Sequence, residues 1–213
     1  AEPPGLAALH HHHHELIFNN MIKFIGIDYG NKLAGTTAIC WNDGGLRFLQ
    51  SEKSKDADRF ILEFFEKHRP RQIFIDAPLS LPLAYRDNDA DDFFYRRCDR
   101  EVNAMSPLFI GGLTARAIKL KRKLESSGIR LFESYPGGLA RELAKEIPGL
   151  IEVYKTDLET FVCLITNYFD VLIEALPSNW HQADAMLAWI VGMRFESNQH
   201  HEIGDPEEGV IFI

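Results

Sequence analysis

Asp28, Asp76, Glu133 and Asp184 are the residues whose type and placement could do chemistry in this 213-residue chain. Asp28 ends an apolar, β-rich run (Ile22, Phe24, Ile25, Ile27) and precedes a polar turn with Gly30 and Asn31. Asp76 ends Ile73-Phe74-Ile75, a short run suited to a buried parallel strand. Glu133 lies in a third run that starts at Ile129, and Asp184 falls in the first turn of a helix predicted over His181 to about Phe195. Oxygen donors without accompanying Cys or His favour Mg²⁺ or Mn²⁺ over zinc. Carboxylates gathered at one edge repel each other unless a cation neutralises them or a pKa rises. Two divalent ions about 4 Å apart can activate water on one side of a phosphodiester and stabilise the departing oxygen on the other.

Each acid also has a plainer reading. Asp28 suits an ordinary hairpin turn, Asp76 could bond the Ala-Pro-Leu-Ser turn that follows it, and Asp184 is favoured by the helix dipole whatever its function. Gly26 and Gly30 flank Asp28, and their missing side chains would let a phosphate or hydrated metal approach the backbone. Arg96, Arg97, Arg100 and Arg116 are candidates for substrate phosphates, because a planar guanidinium can clamp an oxyanion and these cluster near glycine-rich turns. Thr114 joins them as a substrate-binding candidate, while Lys121 to Lys123 read as a solvated helix face.

The elements that must position these groups follow from periodicity. A meander of three short strands opens the fold, with the second starting near Gly35 and the third around Leu46 and Phe48. A helix capped by Ser54 or Asp56 carries Ala57, Phe60, Ile61, Phe64 and Phe65 on one face and stops at Pro70. Residues 79–92 form an acidic rim with Asp87, Asp89, Asp91 and Asp92, and a short helix is expected over Phe93–Met105. Thr114 caps a helix through Ser127, Leu139–Ile147 forms a shorter one, and Thr156 with Glu159 forms a capping box for a helix running to about Ala175 with Leu172 inward. The tail is polar from Asn198 to Glu208, with a final short strand over Val210–Ile213.

Composition narrows the classes. His10 to His14, within an Ala/Pro/Gly leader, mark residues 1–20 as an expression tag and linker, with Met21 as the native start and 21–213 as a single domain. Removing Glu2 and Glu15 with that segment leaves a net charge of −6, which counts against indiscriminate nucleic-acid binding though not against a local basic strip. Cys40, Cys98 and Cys163 form no Cys-x-x-Cys pair, which argues against a disulfide framework and against structural zinc. No run has the ~18 apolar residues of a membrane span. A reduced, cytoplasmic protein is the simplest expectation.

The run Ile-Gly-Ile-Asp-Tyr-Gly-Asn-Lys-Leu-Ala-Gly (25–35) resembles the first strand of RuvC-like Holliday junction resolvases and their YqgF relatives, in the RNase H-like superfamily. The chain is more specifically similar to an uncharacterised family of predicted nucleases with the RNase H fold. The matching pieces are Ile-Asp-Ala-Pro-Leu-Ser-Leu-Pro (75–82), Arg-Arg-Cys-Asp-Arg-Glu (96–101), Gly-Gly-Leu-Thr-Ala-Arg (111–116), Glu-Ser-Tyr-Pro-Gly (133–137) and His-Gln-Ala-Asp-Ala (181–185). The resemblance implies an α/β, RNase H-like fold: a mixed five-stranded sheet, three antiparallel strands then parallel strands, flanked by helices. It also implies a carboxylate cluster of Asp28, Asp76 and Asp184 holding Mg²⁺ or Mn²⁺, with Glu133 a further catalytic candidate. The Ala-Pro after Asp76 departs from the resolvase pattern and would offset the second acid. The expected activity is hydrolysis of DNA or RNA, the partner a nucleic acid and not a membrane. An actin-like phosphotransferase is the alternative, with a homodimer supplying the second copy of the fold, and a non-catalytic nucleic-acid adaptor is a third reading. Neither a Walker-type phosphate loop nor a dinucleotide fingerprint is present.

Overall fold

The computed structural model describes residues 22–213, so the segment read as a tag, residues 1–20, lies outside the described residues. Five strands form a mixed sheet: β1 (Phe24–Asp28), β2 (Ala38–Asn42), β3 (Leu46–Gln50), β4 (Gln72–Asp76) and β5 (Arg130–Glu133), in the order β3-β2-β1-β4-β5. The first three pair antiparallel, while β1–β4 and β4–β5 are parallel. The parallel pairs need crossovers, and α1 (Ala57–His68) and α4 (Gly112–Glu125) provide them. Between β4 and α4 run the short helices α2 (Arg97–Val102) and α3 (Pro107–Ile110), and after β5 come α5 (Pro136–Ala144), α6 (Leu150–Val153), α7 (Leu158–Phe169) and α8 (Trp180–Glu196). A closing hairpin, β6 (Glu202–Asp205) with β7 (Gly209–Phe212), forms a separate two-stranded sheet.

Strand alternation sorts the core into two layers. Ile25, Ile27, Ile73, Ile75 and Leu131 face α1 and α4, and pack with Ile61, Phe64, Ala117, Leu120 and Leu124. Phe74, Phe132, Ala38 and Cys40 face the other way, against Leu139, Phe161, Ile165 and the buried stretch of α8. That stretch, Ala183 to Gly192, is buried on every side, as expected of a helix wedged between a sheet and other helices. Its start is fixed by Asn179, whose side chain accepts from Gln182 N at 3.0 Å. Asn179 Nδ2 and Gln182 Nε2 both donate to Gln50 Oε1, at 2.8 and 3.1 Å, tying the beginning of α8 to the end of β3.

Gly26 and Gly30 are both closely packed by protein here. A Cβ on Gly26 would sit 2.2 Å from Trp189 N and 2.3 Å from Ala185 O, so this glycine is what lets α8 lie against β1. A Cβ on Gly30 would meet Thr36 Oγ1 at 2.1 Å. Other expectations shift by a few residues. The second strand starts at Ala38, not near Gly35. The helix expected over Phe93–Met105 is confined to Arg97–Val102. α4 begins at Gly112, so Thr114 is inside it rather than its cap. Asp157, accepting from Thr160 N at 3.2 Å, caps α7 where Thr156 was expected to. That helix ends at Phe169 with Asp170 in the left-handed region, leaving Leu172 exposed. The tail holds a hairpin, because Gly204 and Gly209, both at positive φ, bracket a tight turn.

Gly26→Ala pushes a methyl group into α8 backbone that cannot swing aside. The expected loss of stability is at the upper end of about 1–3 kcal/mol or beyond it, readable as a drop in the urea midpoint, whereas Gly112→Ala, in open space, leaves that midpoint nearly unchanged.

Candidate active site

Asp28 and Asp76 are direct register partners at the C-terminal ends of adjacent parallel strands. Both follow a residue buried toward α1 and α4, so both project toward α8. Asp184, in the first turns of α8, comes down on them from that side, because Gly26 lets the helix approach. Three carboxylates thus meet at the sheet edge where open α/β folds bind ligands.

Their electrostatics show the crowding. Burial, together with the charges on Asp28, Asp184 and Glu133 and a hydrogen bond with the Asp28 carboxyl, raises the pKa of Asp76 well above the usual carboxylate range. Burial also raises that of Asp184, against the opposing pull of Lys155. Lys155 Nζ is bonded to Asp184 Oδ2, and Tyr154 Oη donates to Asp184 Oδ1 at 2.7 Å. His181 Nδ1 is 3.0 Å from Asp28 Oδ2, a contact that raises the imidazole pKa against the effect of burial. The Lys155 ammonium also lies 5.2 Å from the Tyr154 ring centroid and 5.7 Å from that of Trp180. Sequence reasoning missed Tyr154 and Lys155, which sit in an irregular connection after α6 with Lys155 at φ 68°. His181 was not singled out either, although it precedes Asp184 by three residues and so shares its helix face.

Glu133 does not join the cluster. It is in register with Ile75, one residue short of Asp76, so alternation turns its side chain to the opposite face of the sheet. Ser134 takes the level of Asp76, its N–H donating to Ile75 O at 2.8 Å. Glu133 instead accepts from Leu79 N at 2.8 Å and from both terminal nitrogens of Arg96 at 2.7 Å. Arg96 is 1% exposed and uses all five of its N–H donors: Nε and Nη2 on Asp99, Nη1 on Ser80 Oγ, and Nη1 and Nη2 on Glu133. No donor remains for a phosphate, so its role is to brace the connection after β4 against the end of β5. Thr114 is likewise withdrawn, buried with its hydroxyl donated to Pro107 O at 2.7 Å.

Arg97 and Arg100 are exposed, the first paired with Glu101 and the second with Asp92 while lying 4.5 Å over the Tyr95 ring. Arg116 forks onto Asp58 with two bonds of 3.0 Å, donates to Gly30 O at 3.0 Å and covers the Tyr29 ring. It therefore props the lip of the hairpin that bears Asp28. The β6–β7 hairpin secures the other side, since Glu208 accepts from Leu83 N at 2.8 Å and Arg97 N at 2.7 Å.

Among the described residues no three His, Cys, Asp or Glu side chains converge closely enough to enclose an ion as they stand. Asp184 is turned to Lys155 and Tyr154, and Asp28 to His181. The donor chemistry nonetheless suits a hard divalent cation, because the three acids offer only oxygens and the charges around Asp76 all disfavour its ionised form.

Two measurements check these assignments. Arg96→Met leaves Glu133 and Asp99 buried without their cation, and the expected cost is about 3–5 kcal/mol in urea unfolding; a phosphate-binding Arg96 would leave stability unchanged. Folding raises the Asp76 pKa, so the folded chain holds that proton more tightly, and the stability this provides is lost as pH rises from about 4. In EDTA at pH 7, Asp76→Asn is therefore expected to melt above the wild type, with the gap closing below pH 4.

Neither a scan against protein-family models nor a search of the curated proteins finds a match for this chain, so the reading of the site rests on its geometry.

Proposed function

We propose that the protein is a divalent-metal-dependent phosphodiester hydrolase acting on DNA or RNA, built on an RNase H-like fold. The observation that carries the reading is the convergence of Asp28, Asp76 and Asp184 at one sheet edge, with the Asp76 pKa raised by its acidic neighbours. The strand order β3-β2-β1-β4-β5, antiparallel then parallel, supports the RNase H-like assignment.

In this reading Asp28, Asp76 and Asp184 hold Mg²⁺ or Mn²⁺, which when bound supplies a Lewis acid for the phosphoryl oxygens and lowers the pKa of water. Lys155 and His181 are each about half exposed at the rim; Lys155 holds positive charge beside the acids, and contact with Asp28 raises the His181 imidazole pKa. They stand ready to meet the substrate's phosphate as the carboxylates turn inward. Tyr154 fixes one oxygen of Asp184 so that the carboxylate keeps a defined direction. Glu133 and Arg96 act at one remove, by setting the course of the chain after Asp76.

The test is incubation of tag-free protein with labelled single-stranded, duplex, hybrid and branched nucleic acids in Mg²⁺, Mn²⁺ or EDTA, beside Asp28→Asn and Asp184→Asn. Metal-ion catalysis contributes several kcal/mol, which at about 1.4 kcal/mol per factor of ten predicts losses of at least about 100-fold in each variant. Cleavage that survives EDTA or either substitution would overturn the proposal.

A further inference from the structure

We propose that the groove between α1 and α4 is a track for the sugar–phosphate backbone of a polynucleotide, so that the substrate is a polymer and not a mononucleotide. The inference rests on the hydrolase reading and extends it away from the carboxylates. The groove has a volume of about 300 Å³, with Leu62 and Leu120 in its lining. Around them stand five cations, Lys32, Arg59, Arg116, Lys119 and Lys123, against two carboxylates, Asp56 and Asp58. The lining residues carry +3 on a chain whose total is −8, although Arg59 is paired with Glu63 at 3.1 Å beyond the lining.

Neither acid neutralises the groove's length. Asp58 is taken up by Arg116 and by Tyr29, and Asp56 caps α1 through Asp58 N and Arg59 N, with Lys32 at 3.7 Å. Among the described residues Lys121, Lys145 and Lys155 each pair with a carboxylate, whereas no such pair involves Lys119 or Lys123. The groove adjoins the turn that follows Asp28. Lys32 follows the Asp28 turn, its carbonyl accepting from Ala57 N at 2.9 Å, and Arg116 reaches Gly30 O. Arg116, Lys119 and Lys123 then lie at i, i+3 and i+7 along α4, a span of about 10 Å.

The test reads binding in EDTA, where the proposed chemistry is silent, by fluorescence anisotropy of a labelled 20-nucleotide single strand and its duplex. Lys119→Gln/Lys123→Gln, at two exposed positions, is expected to weaken binding at least about 10-fold at 50 mM salt and to flatten the salt dependence by roughly two phosphate contacts. Arg122→Gln, on the same helix but outside the groove lining, is expected to bind as the wild type does. Equal affinity in the double variant, an equal loss in Arg122→Gln, or no binding to either probe would overturn the track. Groove-dependent binding without cleavage in Mg²⁺ would keep the track and remove the hydrolase, and cleavage with groove-independent binding would do the reverse.

Discussion

Two like charges held side by side are the constraint on which this structure turns. Pairing β1 with β4 in parallel places Asp28 opposite Asp76, and the close seat of α8 on Gly26 brings Asp184 to the same place. Such a cluster opposes folding unless something neutralises it. Lys155 answers Asp184, His181 lies against Asp28, and burial among these acids raises the Asp76 pKa. The surrounding architecture keeps the acids from moving apart: Gln50 anchors the start of α8, Arg116 braces the hairpin, and Arg96 with Glu133 braces the connection after β4.

The two buried-charge systems differ in kind. Around Arg96 every donor has an acceptor and opposite charges are matched, which is how a buried ion pair is made tolerable. Around Asp76 the neighbouring side-chain charges are acidic, and burial together with them raises its pKa. Glu133 belongs to the first system, although it ends a strand as Asp28 and Asp76 do.

The sequence made the strand ends legible and left their facing obscure. Asp28 and Asp76 could be placed because each ends a short apolar run with the same alternation, and Asp184 because it opens a long helix. Glu133 was misread for a local reason: its strand is one residue out of step, and nothing within Arg-Leu-Phe-Glu reveals the register. Arg96 and Arg100 look alike in the sequence, yet one is buried in a closed network and the other lies on the surface. Lys155 was invisible because its approach to Asp184 depends on a left-handed residue in an irregular turn 29 positions away. Helix boundaries drifted where caps competed, as at Thr156 and Asp157.

The central claim is that these three carboxylates form one cation site, with Lys155 holding Asp184 when no ion is bound. A crystal of the protein soaked in Mn²⁺ and measured at the manganese edge tests it most directly. The account predicts an anomalous peak bounded by Asp28, Asp76 and Asp184, with the Lys155 ammonium displaced from Asp184. A peak elsewhere, or none at saturating Mn²⁺ with the Lys155–Asp184 pair intact, would contradict it.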